Sequence, residues 1–341
     1  MKTQSTVELD GADNLHRPPF NPDLLTTTQP LIVTPTLVSR VDGTPSQERP
    51  HDAGSSVDSS GNQVEQPGEH PSDFALEPNA NLAYERWDEY WRKIHGPKFA
   101  YEEPGSTSHL VVRYDQLHRL PSGPSSGFRP PYRARVQSNG QLDGKPEAHV
   151  PPYERPKWDG LAYIAYQAKD DIRKTLVKQD QYSKRIIADE HVAFRVVTRQ
   201  ICVEYILIPS AQHRDAVSLV KIHQRVPSMT REQYKAKMLG EHANFVLLKT
   251  AAHSYVRRYV QLHNFGSTQS DPEGSSIDSL SIFAFASLND VEDFVISEEY
   301  RAIEVEEAKL AGEGSEFWTA VNYSVINRLL PELPTELPPQ E

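Results

Sequence analysis

The chain has 341 residues, 37% of them hydrophobic, with a net charge of −11 and a single cysteine. That length suits about two domains of roughly 150 residues each, and the low apolar content leaves part of it outside any packed core. The acidic balance argues against nucleic acid as the main partner. One cysteine excludes an intrachain disulfide and a cysteine-based zinc site, and no run approaches the ~18 apolar residues of a membrane span.

Residues 1–28 are polar, lack the apolar core of a signal peptide and read as a flexible arm of a cytoplasmic protein. The β-branched run LIVTPTLV (31–38) is a strand. A Ser-, Gly- and Pro-rich stretch over about 40–80 then buries too little to offset its ordering entropy and is expected to be disordered. AYERWDEYWRKIHG (83–96) places Tyr84, Trp87, Tyr90 and Trp91 at helical spacing. SHLVVRYDQLH follows as a strand, and a second disordered insertion is expected over about 121–156, with FRPPYRAR (128–135) as a solvated basic loop. WDGLAYIAYQ, KDDIRKTLVKQDQYSKRIIADE and ICVEYILIP read as strand, helix and strand, with Cys202 a buried strand residue. The first domain is thus 29–210.

The second domain, 211–330, has the same order. AVSLVKIHQRVP is a strand. SMTREQYKAKMLGEHANF is a helix with Ser228 or Thr230 as its cap. HSYVRRYVQLH and IDSLSIFAFAS are strands, NDVEDFVISEEYRAIEVEEAK is one helix, and TAVNYSVIN is the last strand. The Pro-rich tail 331–341 is extended.

The two halves correspond residue by residue. RYDQLH (113–118) matches RYVQLH (258–263), Asp159 matches Asp278, Asp171 matches Asp290 and Tyr182 matches Tyr300. In the preceding helices Tyr90 and His95 align with Tyr234 and His242 if three residues are inserted in the second copy. The reading is a tandem duplication of a β-α-β-β-α-β, ferredoxin-like unit, an α+β fold. Each unit leaves one sheet face bare. Two such faces packed together make a barrel within one chain and enclose a cavity, or else the chain dimerises to cover them. Strand alternation puts Tyr255, Arg257, Tyr259, Gln261 and His263 on the bare face of the second copy, with Val256, Arg258, Val260 and Leu262 towards the helices. The first copy puts Leu110, Val112, Tyr114, Gln116 and His118 on the bare face. Polar and aromatic groups there suggest a ligand cleft between the two sheets.

AVSLVKIHQRVPSMT, REQYKAKMLGEHANF with its terminal His242, SYVRRYVQLH and FVISEEYRAIEVEEAKL make 215–327 resemble an EthD domain, a branch of the dimeric α/β-barrel superfamily. ERWDEYWRKIHGPKF and SHLVVRYDQLH carry a weaker resemblance in the first half, which departs by its insertions and by a first strand far from its helix. The resemblance implies a tandem dimeric-α/β-barrel architecture. It also implies chemistry of one of three kinds: cofactor-free monooxygenation of hydroxyaromatic or quinol substrates, lyase or cyclase steps in polyketide and aromatic metabolism, or none assigned. In such relatives a histidine at the end of the first helix faces the cleft, here His242 and, in the first copy, His95.

Histidine is the natural acid or base near neutral pH, and the candidates are His242, His263, His223, His95 and His118. Tyr259 or Tyr114 can donate to a developing phenolate or enolate oxygen, and Arg257 can hold a carboxylate. Tyr255, Gln261 and Gln116 complete the expected lining, and Glu204, alone in an apolar strand, is either a second acid or an edge carboxylate. With no HExxH or P-loop in the chain, neither metal nor cofactor is expected. The leading expectation is a decarboxylase or dehydratase of a small aromatic or polyketide-like substrate. The alternatives are a cofactor-free monooxygenase and a non-catalytic small-molecule-binding protein.

Overall fold

The computed structural model describes residues 30–40, 84–100, 107–129, 156–177, 181–210, 215–266 and 277–328. The arm, the tail and most of both expected insertions lie outside them. Residues 121–129 do not belong to a disordered insertion. Ser125 bridges to Trp318 and is buried, and the Ser126 and Thr319 amides bond to the backbone across the same junction.

In chain order the first half contributes β1 (Ile32–Arg40), then helix α1, built of Tyr84–Tyr90, a π-helical turn Trp91–His95 and Gly96–Ala100. It continues with β2 (Val111–Arg119), β3 (Gly160–Tyr166), α2 (Lys169–Ile172 with Arg173–Val177), α3 (Gln181–Ala193), β4 (Phe194–Arg199) and β5 (Ile201–Ile208). The second half contributes β6 (Val217–His223) and α4, built of Arg231–Lys237, a π-helical turn Met238–His242 and Ala243–Leu247. Then come α5 (Thr250–Tyr255), β7 (Val256–Gly266), β8 (Ser279–Phe285), α6 (Leu288–Ile296), α7 (Glu298–Glu307) and β9 (Glu316–Asn327).

The caps are local. Thr230 Oγ1 accepts from the Gln233 amide and Gln233 Oε1 from the Thr230 amide, a full capping box. The expected single helix over 289–309 is two, because Ser297 ends α6 and its hydroxyl caps α7 through the Tyr300 amide. Residues 253–255 are helical rather than strand, so Tyr255 closes α5 and is half-buried beside it.

All strand pairings are antiparallel. The order β3-β2-β9-β6-β8-β7-β5-β1 returns to β3, so the sheet closes as an eight-stranded barrel, with β4 continuing the β5 edge along β1. The halves therefore place equivalent strands in equivalent positions, and each lends its last strand to the other, β5 to β7 and β9 to β2. Asp159 and Asp278 occupy matching corners, accepting from the amides of Arg40 and Arg225 at the ends of β1 and β6.

An eight-stranded barrel is just wide enough for its own side chains to fill. Val33, Leu161, Val220, Val260, Leu262 and Leu280 belong to one central core with residues of every other interior strand. The expected cleft between two bare sheets is therefore a packed interior. The faces are the reverse of those expected: Val260 and Leu262 point inward, and Tyr259 packs with the helix-side core of the second half. A register shift between Val256 and Arg258, matched by one between Val111 and Arg113, sets the phase. It leaves Arg257 exposed and turns Val112 into the barrel, off the face of Tyr114.

Arg258, expected towards the helices, lies inside. Its guanidinium is 2.8 Å from Glu204 Oε1, which also accepts from the Tyr163 hydroxyl, and Arg113 lies over the Tyr163 ring at 5.4 Å. Glu204 is thus neither a cleft acid nor an edge carboxylate. It holds the two halves together through a buried ion pair.

Candidate functional site

The residues of the repeated motif gather under the helices instead, and the two halves use the space differently. In the second half, β6 and β7 alternate so that Lys221, His223, Tyr259, Gln261 and His263 share the helix-side face. The π-helical turn of α4 delivers His242 onto the same space; such turns widen a helix locally and recur at functional sites. His223, His242 and His263 are 1%, 0% and 2% exposed.

Gln261 orders the motif. Its Nε2 donates to the Met238 carbonyl at 3.0 Å and to the Tyr259 hydroxyl at 2.6 Å, and its Oε1 accepts from His263 Nε2 at 2.8 Å. His263 Nδ1 makes no hydrogen bond among the described residues. His242 Nδ1 donates to Glu306, while its Nε2 makes no hydrogen bond among the described residues and stands 3.9 Å from Glu307. Lys221 Nζ donates to Glu307 at 2.6 Å, and His223 lies 3.6 Å from the same carboxylate. The Tyr234 and Ser279 hydroxyls are 2.7 Å apart at the edge of the group. Among the described residues no three His, Cys, Asp or Glu side chains are placed to share a metal ion.

The electrostatics follow from burial. Desolvation pushes His223 down to about 4 and His263 to about 3, so both are neutral near pH 7. Burial alone would raise Glu307, but the Lys221 ammonium and the two neighbouring imidazoles outweigh it and hold it below the ordinary value. Burial raises Tyr259, so its hydroxyl stays protonated and free to donate. A stability consequence follows. Both histidines have folded pKa values below the unfolded 6.5, so the unfolded chain takes up protons first as the pH falls. Their contribution is complete above about pH 6.5 and is lost from there down towards 4 and 3. Urea unfolding at pH 5 should show a lower midpoint than at pH 7, and His223→Gln should flatten that difference. An equal midpoint at both pH values would contradict the burial of neutral imidazoles.

The first half holds the counterparts. Gln116 Nε2 donates to the Trp91 carbonyl at 2.9 Å and to the Tyr114 hydroxyl at 2.8 Å. Since Gln116 and Gln261 bond to Trp91 and Met238 respectively, the helices align Trp87 with Tyr234, Trp91 with Met238 and His95 with His242. No insertion is needed, and the expected match of Tyr90 with Tyr234 is displaced. His95 Nδ1 lies 2.6 Å from Asp189, as His242 faces Glu306, but Lys98 and Tyr90 also bond that carboxylate. Burial would raise Asp189, and His95, Lys98 and Tyr90 together bring it down to about 2. His118 faces Asp88 and is covered by the Trp91 indole, stacked at 4.1 Å.

Three exchanges distinguish this half. By register, Val38 and Thr36 stand where the second half has His223 and Lys221, and Gly160 stands where it has Ser279. A Cβ on Gly160 would lie 2.3 Å from the Trp91 ring. The glycine thus makes room for the indole that occupies the space beside His118. Gly160→Ala should destabilise the protein by about 1–3 kcal/mol through overpacking. Urea midpoints of the two proteins check this, and an unchanged midpoint would mean that the indole does not fill the site.

Of the sequence candidates, His223, His242, Tyr259, Gln261 and His263 come together. His95, His118, Tyr114 and Gln116 form the aromatic-filled counterpart. Tyr255 and Arg257 lie apart from both. Sequence reasoning missed Lys221, Glu306 and Glu307. The signal was present: a lysine inside the apolar strand AVSLVKIHQ needs a buried carboxylate, and VEEAK offers two.

Residues 226–314 match the EthD domain family. No curated protein matches the chain. Among solved structures, an anthrone oxidase-like protein aligns at 13% identity with a TM-score of 0.44, over 89% of this chain and 97% of its own. A protein described as a candidate monooxygenase from Lactobacillus acidophilus aligns at 8% identity with a TM-score of 0.42, over 90% and 100%. A mutant chlorite dismutase from Candidatus Nitrospira defluvii aligns at 11% identity with a TM-score of 0.34, over 85% and 91%. At these identities and scores the activities of those proteins do not pass to this chain.

Proposed function

We propose that the second half is a cofactor-independent acid–base enzyme for a small hydroxyaromatic or β-keto substrate of polyketide type, catalysing decarboxylation or dehydration. The observation that supports this is the Glu306–His242 pair with His242 Nε2 free inside a buried, polar cluster. A carboxylate that fixes one imidazole nitrogen leaves the other as a base of defined direction. In this reading dehydration of a β-hydroxy ketone has His242 Nε2 take the α-proton and return it to the departing hydroxyl. In decarboxylation His242 Nε2 takes the carboxyl proton, the C–CO2 bond breaks with its electron pair left on the carbon beside the phenol or ketone, and the same proton is delivered to that carbon. Glu306 stabilises the imidazolium, and the Tyr259 hydroxyl donates to the oxygen on which charge develops. His263 Nδ1 accepts from a substrate hydroxyl. Lys221 neutralises Glu307, so that the cluster does not repel the anionic intermediate. The first half, its cluster closed by Trp91, is a scaffold derived from a duplicated copy.

The test is solvent deuterium uptake by a panel of resorcylic acids and aryl β-keto acids, followed by proton NMR, with CO2 release and O2 consumption recorded alongside. Enzyme-dependent exchange at the carbon next to the phenol or ketone is the expected result. Release of CO2 or water then marks a lyase, and O2 uptake marks the monooxygenase alternative. Tight binding of a panel member without exchange would replace the enzyme reading with that of a binding protein.

A further inference from the structure

A second feature lies outside the buried cluster. The outer surface carries a groove of about 380 Å³ between Phe245 of α4 and the outer face of α7 and its last turn. Arg301, Ala302, Val305, Glu306 and Lys309 form its other wall. Val305 is 68% exposed there. Arg301 and Lys309 have no carboxylate within ion-pair distance among the described residues, while neighbouring Glu304 is taken by Arg129 at 2.8 Å. A third cation, Lys249, lies 3.9 Å over the Phe245 ring. On a chain of net charge −11 this is a local cationic and aromatic surface. The acceptor in it is Glu306, one of whose oxygens takes the His242 proton and whose side chain is 16% exposed.

We propose that this groove binds a small hydroxyaryl carboxylate at a surface site that shares only Glu306 with the buried cluster. Its carboxylate lies between Arg301 and Lys309, its ring lies on Phe245 and Val305, and its hydroxyl donates to the free oxygen of Glu306. Each part of the ligand follows from a wall of the groove. The two cations, without an ion pair among the described residues, ask for an anion, the half-buried aromatic and the exposed valine for a flat apolar body, and the carboxylate for a donor. That donor is required, because an anion without it would meet Glu306 as a like charge. Occupancy would reach His242 through the shared Glu306 carboxylate. The binding itself does not depend on what reaction, if any, the buried cluster performs.

The probe is 6-hydroxy-2-naphthoate, followed by its own fluorescence at low ionic strength. Saturable one-to-one binding is expected, weakened by added salt as for exposed charges. The double variant Arg301→Glu/Lys309→Glu, both at exposed positions, should lose about tenfold in affinity, with circular dichroism unchanged. 2-Naphthoate, which lacks the donor, should bind several-fold more weakly than the hydroxy acid. Equal affinity in wild type and the double variant, or binding that never saturates, would overturn the proposal.

Discussion

Replacing Glu204 with alanine is expected to destabilise the protein by about 3–5 kcal/mol, the cost of leaving one partner of a buried ion pair without the other. Glu204 and Arg258 are 1% and 4% exposed, in a barrel interior built mainly of apolar side chains. Without the carboxylate, the buried Arg258 guanidinium loses its 2.8 Å ion pair, and the Tyr163 hydroxyl stands 3.5 Å from it. The pair joins strands from opposite halves, so the loss falls on closure of the barrel. Replacing both residues together, Glu204→Met with Arg258→Met, should recover most of the stability, because a packed apolar pair carries no stranded charge. Urea unfolding of the three proteins measures this. A single variant as stable as the wild type would mean that the pair is hydrated in solution.

The second large effect falls on turnover. His242→Gln removes the proposed base while keeping a side chain that can bond to Glu306. The rate should drop by about 10²–10⁴-fold, the usual worth of a positioned acid–base group. Glu306→Gln, which leaves the imidazole but not its anionic partner, should cost less, about 10–100-fold. Unfolding midpoints of both variants near that of the wild type would separate chemistry from folding. A Gln variant with undiminished turnover would remove His242 from the mechanism.

The strand order and the barrel were readable because the chain alternates β-branched runs with helical ones, twice, in the same order. The motif also named residues that come together, since Tyr259, Gln261 and His263 of RYVQLH do meet the helix-end histidine. What could not be read was the face. Polarity tells inside from outside only where one face meets water, and here both faces of β7 are buried, Leu262 against the barrel core and Tyr259 against the helices. A one-residue bulge at the start of the strand then shifts the phase of everything after it. Arg257 and Arg258 exchange environments for that reason: the one offered as a ligand holder is at the surface, and the misfit is in the core. The plugging of the first half was hidden as well. Trp91 reads as an ordinary helix-face aromatic, and only the register that brings Gly160 beneath it shows which space it takes.

The most direct test of the central claim, that the polar cluster of the second half takes the ligand and its aromatic-filled counterpart does not, uses the histidine rings themselves. Side-chain ¹⁵N spectra recorded during titration with a neutral phenol, 2-naphthol, report each imidazole separately once His95, His118, His223, His242 and His263 are assigned by substitution. The account predicts that His223, His242 and His263 shift together while His95 and His118 stay still. Shifts confined to His95 and His118, or no shift at any of the five on saturating ligand, would contradict it.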